Sequence, residues 1–192
     1  TSADVMNKNL DQLDQSFMYT QIMKEILLTI DFKSQHFQEF INYSRQLFLN
    51  NNKELKNVDK LGKEYHRHTP IWWYTYNCFL YSMLNKSLRM MEVDLIIKMG
   101  FFIRDLHEHI AQLHFEQYIK QKNSATFTVY RGQVLSQINF DQLMANIGGL
   151  TSFNNFLSAS KNRMVALNFV CDTCVIFDSV RILFVIIIDP SI

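Results

Sequence analysis

The stretch TVYRGQVLSQINF (residues 128–140) decides the fold class. Before it the sequence reads as helix after helix, and from it onward β-type patterns appear. TFTVYRG (126–132) alternates and is rich in Thr, Phe, Val and Tyr, which predicts a strand with Arg131 at its end and Gly132 allowing a tight turn just beyond. INFDQLMANIGG (138–149) predicts a short helix stopped at Gly148 and Gly149. LTSFNNFLSAS (150–160) predicts a second strand, RMVALNFV (163–170) a short helix, and VRILFVIIID (180–189) a third strand. The third strand is apolar on both faces, so it is expected at the centre of a sheet.

Upstream, Ser16 can cap a helix with Phe17, Ile22, Ile26, Leu27 and Ile30 inward. Ser34 can cap a second with Phe37, Phe40, Ile41, Leu47 and Phe48, and a third carries Leu55, Val58, Leu61 and Tyr65. Thr69 followed by Pro70 is a strong helix start, because proline lacks only an N–H that the first turn leaves unpaired. Trp73, Leu80, Leu84 and Leu88 then line one face, and Val93, Ile96, Ile97, Ile103, Leu106, Ile110 and Leu113 continue the pattern. The expected organisation is α+β, with a helical region over 1–68 and a second domain over 69–192.

The 192 residues, 48% hydrophobic and 14% aromatic, suffice for a sizeable core. Nineteen basic against eighteen acidic residues, interleaved along the chain, supply neither the basic face that nucleic acids need nor a polybasic membrane patch. The longest apolar run, ILFVIII (182–188), is too short to span a bilayer. No nucleic-acid or membrane partner is therefore expected. The polar N-terminus carries no signal peptide, so a cytoplasmic location is the expectation, with secretion left open because the sequence begins on Thr1 rather than Met.

Arg131 at a strand end can fork onto a phosphate or carboxylate with paired hydrogen bonds, although an ordinary surface arginine would read the same way. Ser158 and Ser160, two apart on a strand, would aim both hydroxyls at one face while Ala159 faces the other. Ser160 also suits the N-cap of the helix that follows. His66 with His68, and His107 with His109, lie two apart, a spacing that does not share a helix face. His107 and His114 could share one, but solvated helix surface is the better reading. Cys171 and Cys174 form a lone C-x-x-C with no second pair, so no metal site is expected. Trp72, Trp73, Tyr74 and Tyr76 at helical spacing suit core more than a stacking platform. No dinucleotide-binding glycine fingerprint, P-loop, zincin or nucleophile-elbow motif occurs.

The order of these elements resembles the NAD(P)+-dependent arginine-specific mono-ADP-ribosyltransferases of the Arg–Ser–Glu type. The resemblance rests on a helical lobe, a YRG strand (130–132), SFNNFLSAS (152–160) followed by ALNF (166–169), and ILFVIIID (182–189). WWYTYNCFLYSMLNKSLR (72–89) is similar to a helix preceding the family's first strand, and the likeness runs from about residue 69 onward. It implies the first strands of an ADP-ribosyltransferase-type split β-sandwich, NAD or NADP as co-substrate, no metal, and a protein arginine as acceptor. Arg131 would contact the cofactor's phosphates and ribose. Ser158 would hold the nicotinamide ribose, Gly132 would bring the backbone near the nicotinamide amide, and Ser160 would complete the cofactor-binding set. The family's Ser-Thr-Ser becomes Ser158, Ala159 and Ser160 here, losing the middle hydroxyl. Arg163 and Phe169 lie where the family places a residue near nicotinamide, with neither assigned.

The family's acidic motif, Glu-x-Glu or Gln-x-Glu, has no counterpart after Glu116, the last glutamate; Asp172, Asp178 and Asp189 are shorter acids at other positions. Such a carboxylate steadies positive charge on the sugar as nicotinamide departs, and its loss costs ~10²–10⁴ in rate. The resemblance thus implies a transferase domain continuing past Ile192, with these residues alone inactive. The alternative is a non-catalytic helical interaction module with a degenerate transferase-like half.

Overall fold

The computed structural model describes residues 15–119, 125–149, 153, 155–172 and 178–189. Contacts gather into two compact units, Ser16–Lys120 and one within Gln121–Ile192. The expected division after residue 68 falls inside the first unit. Trp73 is fully buried there, and its Nε1 donates to the Tyr65 carbonyl at 3.0 Å, tying the two sides of that boundary together.

The first unit is helical: α1 (Gln15–Thr29), α2 (Ser34–Leu47), α3 (Asn52–Glu64), a 3-10 turn (Tyr65–Arg67), α4 (Pro70–Thr75), α5 (Phe79–Met90), α6 (Val93–Lys98), α7 (Gly100–His114) and a π turn (Phe115–Ile119). Thr69 caps α4 as expected, accepting from the Trp72 N–H, while Asn51 caps α3 by accepting from the Glu54 N–H. Ser34 is the first residue of α2 rather than its cap; His36 Nδ1 instead accepts the N–H of Lys33. The long helix expected after Thr69 breaks at Tyr76–Cys78. The break is supported by Glu54, whose Oε2 accepts from the Phe79 N–H and from Asn57 Nδ2, so the new helix start is not left unpaired. A second break, at Met99, precedes Gly100. A Cβ on Gly100 would lie 2.3 Å from Phe32 Cζ, so only glycine admits that ring.

The core of this unit is aromatic and aliphatic. Phe37, Phe40, Tyr65 and Phe101 meet at ring separations of 5.1–5.5 Å, and Leu61, Leu80, Leu84, Ile96, Phe102 and Leu106 are fully buried around them. Ile22, Ile26, Leu47, Val93, Ile97 and Ile110, expected inside, are exposed. Helical spacing groups such residues on a stripe but does not say whether a neighbour covers it.

The second unit joins β1 (Phe127–Ser136), α8 (Gln137–Ala145), α9 (Arg163–Asp172) and β2 (Ser179–Ile188). β1 and β2 pair antiparallel, from Phe127 opposite Ile188 to Ser136 opposite Ser179. The chain is therefore α+β, with a two-stranded sheet among the described residues. LTSFNNFLSAS does not form the expected strand where it is described; Ser160 alone makes an isolated bridge to Tyr130. The bridge lies on one side of β1 and β2 on the other, so β2 is an edge of the described sheet rather than its centre. α8 ends at Ala145, and Gly148, with φ +81°, follows in the turn. α9 packs on β1 at Gly132, where a Cβ would stand 2.1 Å from Val170 Cγ2 and 2.2 Å from the Ala166 carbonyl oxygen. No helix among the described residues is long and apolar enough to cross a membrane.

Candidate functional site

Register decides what stands around Arg131. Residues 127, 129, 131, 133 and 135 share one face of β1, and Arg131 faces Phe184 across the ladder on that side. Gly132 points to the opposite face, beneath α9. The strand thus offers an arginine to one side and a flat landing for a helix to the other.

The Arg131 side chain is only 7% exposed. Its Nε donates to Gln133 Oε1 at 3.2 Å and its Nη1 to the Ser158 carbonyl at 2.9 Å. Gln133 reaches it because two residues along a strand return to the same face. The Ser158 carbonyl arrives because the Tyr130 N–H donates to the Ser160 carbonyl (2.8 Å) and the Ser160 N–H to the Tyr130 carbonyl (2.9 Å), clamping that segment beside β1. Phe153 meets Phe184 edge to face at 5.6 Å on the same side of the sheet.

Burying a guanidinium costs several kcal/mol unless it is compensated. Here, among the described residues, its partners are two neutral oxygens and no carboxylate. An arginine oriented by neutral acceptors keeps its full charge available to an incoming anion, whereas a salt-bridged one has already used it.

The other expected site residues fall into place unevenly. Ser158 is brought to Arg131, but through its main-chain oxygen; its side chain is exposed. The Ser160 hydroxyl accepts from the Asn162 N–H at 3.0 Å, and Asn162 Oδ1 accepts from the Met164 N–H at 2.9 Å. Asn162, not Ser160, is therefore the side chain that caps α9. The Gly132 face that lacks a side chain is filled by Ala166 and Val170, which gives this glycine a packing reason independent of any ligand. Arg163 and Phe169 are both exposed. Gln133 escaped the sequence reading, although strand alternation alone places it beside Arg131.

Among the described residues no three His, Cys, Asp or Glu side chains assemble into a metal-binding group. Cys171 is exposed, and Cys174 lies outside the described residues. In the helical unit His68 stacks on Trp72 at 3.8 Å and Trp72 on Tyr76 at 4.7 Å, while Lys60 Nζ lies 4.3 Å from the Tyr76 ring centroid. That cluster is half-buried packing with both faces of Trp72 already covered. Burial and the nearby Lys24 ammonium lower the His107 pKa, and burial raises that of the Cys78 thiol. Comparison with protein-family models, curated proteins and solved structures finds no match for this chain.

Proposed function

We propose that the second unit is the nucleotide-gripping part of an NAD(P)+-dependent mono-ADP-ribosyltransferase that moves ADP-ribose to a protein arginine with release of nicotinamide. In this reading β1 and β2 belong to a split β-sandwich of that type. The observation that carries it is Arg131: buried, held by Gln133 Oε1 and the Ser158 carbonyl, and facing no carboxylate among the described residues. A buried cation of this kind suits the diphosphate of a dinucleotide, which would add charge-assisted bonds to those already present. Ser158, whose carbonyl holds the guanidinium and whose side chain is exposed, suits the ribose hydroxyls. Ser160 serves this site through its backbone clamp on Tyr130.

In the transfer, the bond from the ribose anomeric carbon to nicotinamide breaks, a guanidinium nitrogen of the acceptor bonds to that carbon, and that nitrogen gives up a proton. A carboxylate must balance the charge developing on the sugar. Residues after Glu116 contain no glutamate, so these 192 residues bind but do not turn over at a useful rate.

Ultraviolet crosslinking of labelled NAD+ to the chain tests the reading. Label is expected on peptides spanning 127–136 and 155–162, to be displaced by unlabelled NAD+, and to be weakened by Ser158→Ala and Arg131→Lys. Nicotinamide release that survives both Arg131→Ala and Ser158→Ala, or label confined to the helical unit, overturns the site.

A further inference from the structure

On the face of the sheet that carries Arg131, Gln133 is the one other polar side chain. Directly paired residues share a face, so Val129, Leu135, Ile182, Phe184 and Ile186 stand on it with them. Arg131 is buried and Gln133 half-buried. Their chemistry fixes the direction of the carboxamide. A guanidinium has five N–H donors and no acceptor, so only Gln133 Oε1 can face Arg131 Nε, and Gln133 Nε2 must turn away from it. With Nε held by Gln133 and Nη1 by the Ser158 carbonyl, Arg131 Nη2 has no acceptor among the described residues, and neither has Gln133 Nε2. Neither nitrogen is sealed in: among the described residues the buried polar side-chain atoms without a partner are Ser44 Oγ and His109 Nδ1, both in the helical unit. Two donor nitrogens on adjoining side chains are therefore open to solvent on an apolar face, beside a buried charge that no carboxylate among the described residues balances.

We propose that Gln133 is the positioning residue of this site: it orients Arg131 for the diphosphate of a dinucleotide and donates its own Nε2 to the same anion. The inference rests on the nucleotide-gripping reading of this unit and adds to it a residue and a reason for that residue's neutrality. Held at both Nε and Nη1, the guanidinium plane cannot swing, so Nη2 is presented in one direction before any ligand arrives, and less ordering is left for binding to supply. In apolar surroundings each charge-assisted bond it then makes is stronger than in water. The identity of residue 133 sets which ligands the site takes. A carboxylate there would accept the same bond from Nε, but as an ion pair that neutralises the guanidinium and repels a diphosphate. An apolar side chain of equal length would leave Nε with no acceptor on that side. A carboxamide accepts from the arginine without cancelling its charge, and its other end is a donor, which suits an anion.

Calorimetric titration of NAD+ and, separately, of inorganic pyrophosphate into the 192-residue chain and two variants is the test. Both probes are expected to bind the parent chain. Gln133→Met, which keeps the length of the side chain and removes the carboxamide, is expected to weaken both by about 3–10-fold, the effect of one hydrogen bond. Gln133→Glu is expected to weaken both by at least about 30-fold and yet to melt no lower than the parent, because the buried guanidinium gains a counter-charge. A glutamine that served packing alone would give the reverse, with binding kept and stability lost. Binding indifferent to both variants overturns the role of Gln133 and leaves the nucleotide reading standing. Pyrophosphate binding that depends on Gln133, with no binding of NAD+, keeps that role and overturns the nucleotide reading; no binding of either probe overturns both. If Gln133→Glu melts early, the isosteric Gln133→Met decides.

Discussion

The two units spend their apolar residues in opposite ways. In the helical unit Trp73, Phe40, Phe102, Leu80, Leu84 and Leu106 are fully enclosed. In the sheet unit the buried apolar side chains among the described residues are Ala166 and Val170, and the largest buried group is the Arg131 side chain. Val185, Ile187, Ile147, Met164 and Val165 of the same unit face outward. Enclosing apolar surface is the dominant stabilising term in folding, at about 25 cal/mol per Å². The helical unit therefore has the means to stand on its own contacts, while among the described residues the sheet unit leaves much of its apolar surface exposed. The same unit holds Arg131, buried and oriented by neutral oxygens. Buried apolar surface is concentrated in one unit and the candidate site lies in the other.

The sharpest way to break this contrast is Trp73→Ala. It empties the centre of the helical core and abolishes the Nε1 hydrogen bond to Tyr65, so a loss of about 3–5 kcal/mol is expected, read by thermal or urea unfolding. A loss below 1 kcal/mol would mean that this core does not carry the unit.

Next in size is a glycine contrast. Gly132→Ala must push a Cβ into the Ala166 carbonyl, a backbone atom of α9 that cannot turn aside, and should cost about 3 kcal/mol. Gly62→Ala, inside α3, meets Ile41 only at ordinary contact distances of 3.8 Å and should stabilise by roughly 0.5–1 kcal/mol through helix propensity. Equal effects at the two positions would remove the packing reason given for Gly132.

The smallest effect concerns pH. His107 titrates lower in the folded unit than in the unfolded chain, chiefly from burial and secondarily from Lys24. The unfolded state therefore takes up the proton first, and the stability this residue contributes at neutral pH is lost as pH falls below the ordinary histidine range of about 6.5 toward the folded value. His107→Gln is expected to flatten that part of a melting-temperature profile between pH 7.5 and 5. An unchanged slope would show that other groups set it.

What could be read from the sequence follows the range of the forces involved. Thr69 and Pro70 announced α4 because a cap and a fixed φ act within four residues. The change from helical to β patterning after residue 125 was equally local. Ser160 and Asn162 are both good caps two residues apart, so spacing could not choose between them; the bridge to Tyr130, a contact across 30 residues, assigned Ser160 elsewhere. The apolar faces of β2 read alike for a central strand and for an edge awaiting cover, and only pairing separates the two. At the site, Arg131 was legible as a strand-borne cation, but it stands in the middle of β1, which runs on through Gly132 to Ser136, rather than at the expected strand end. That the Ser158 carbonyl meets it was not, because a main-chain oxygen leaves no mark in a sequence. Gly132 was legible as a position needing no side chain, but for a different reason from the one found.

The central claim is that the guanidinium of Arg131 and the segment of Ser158 take one dinucleotide. Calorimetric titration of NAD+ into the 192-residue chain tests it most directly. A saturable binding heat is predicted. Arg131→Lys, which keeps the charge but loses the fork, should weaken binding about tenfold, the equivalent of one charge-assisted hydrogen bond, and Ser158→Ala should weaken it less. No binding heat, or binding indifferent to Arg131, would contradict the claim and favour a non-catalytic helical interaction module.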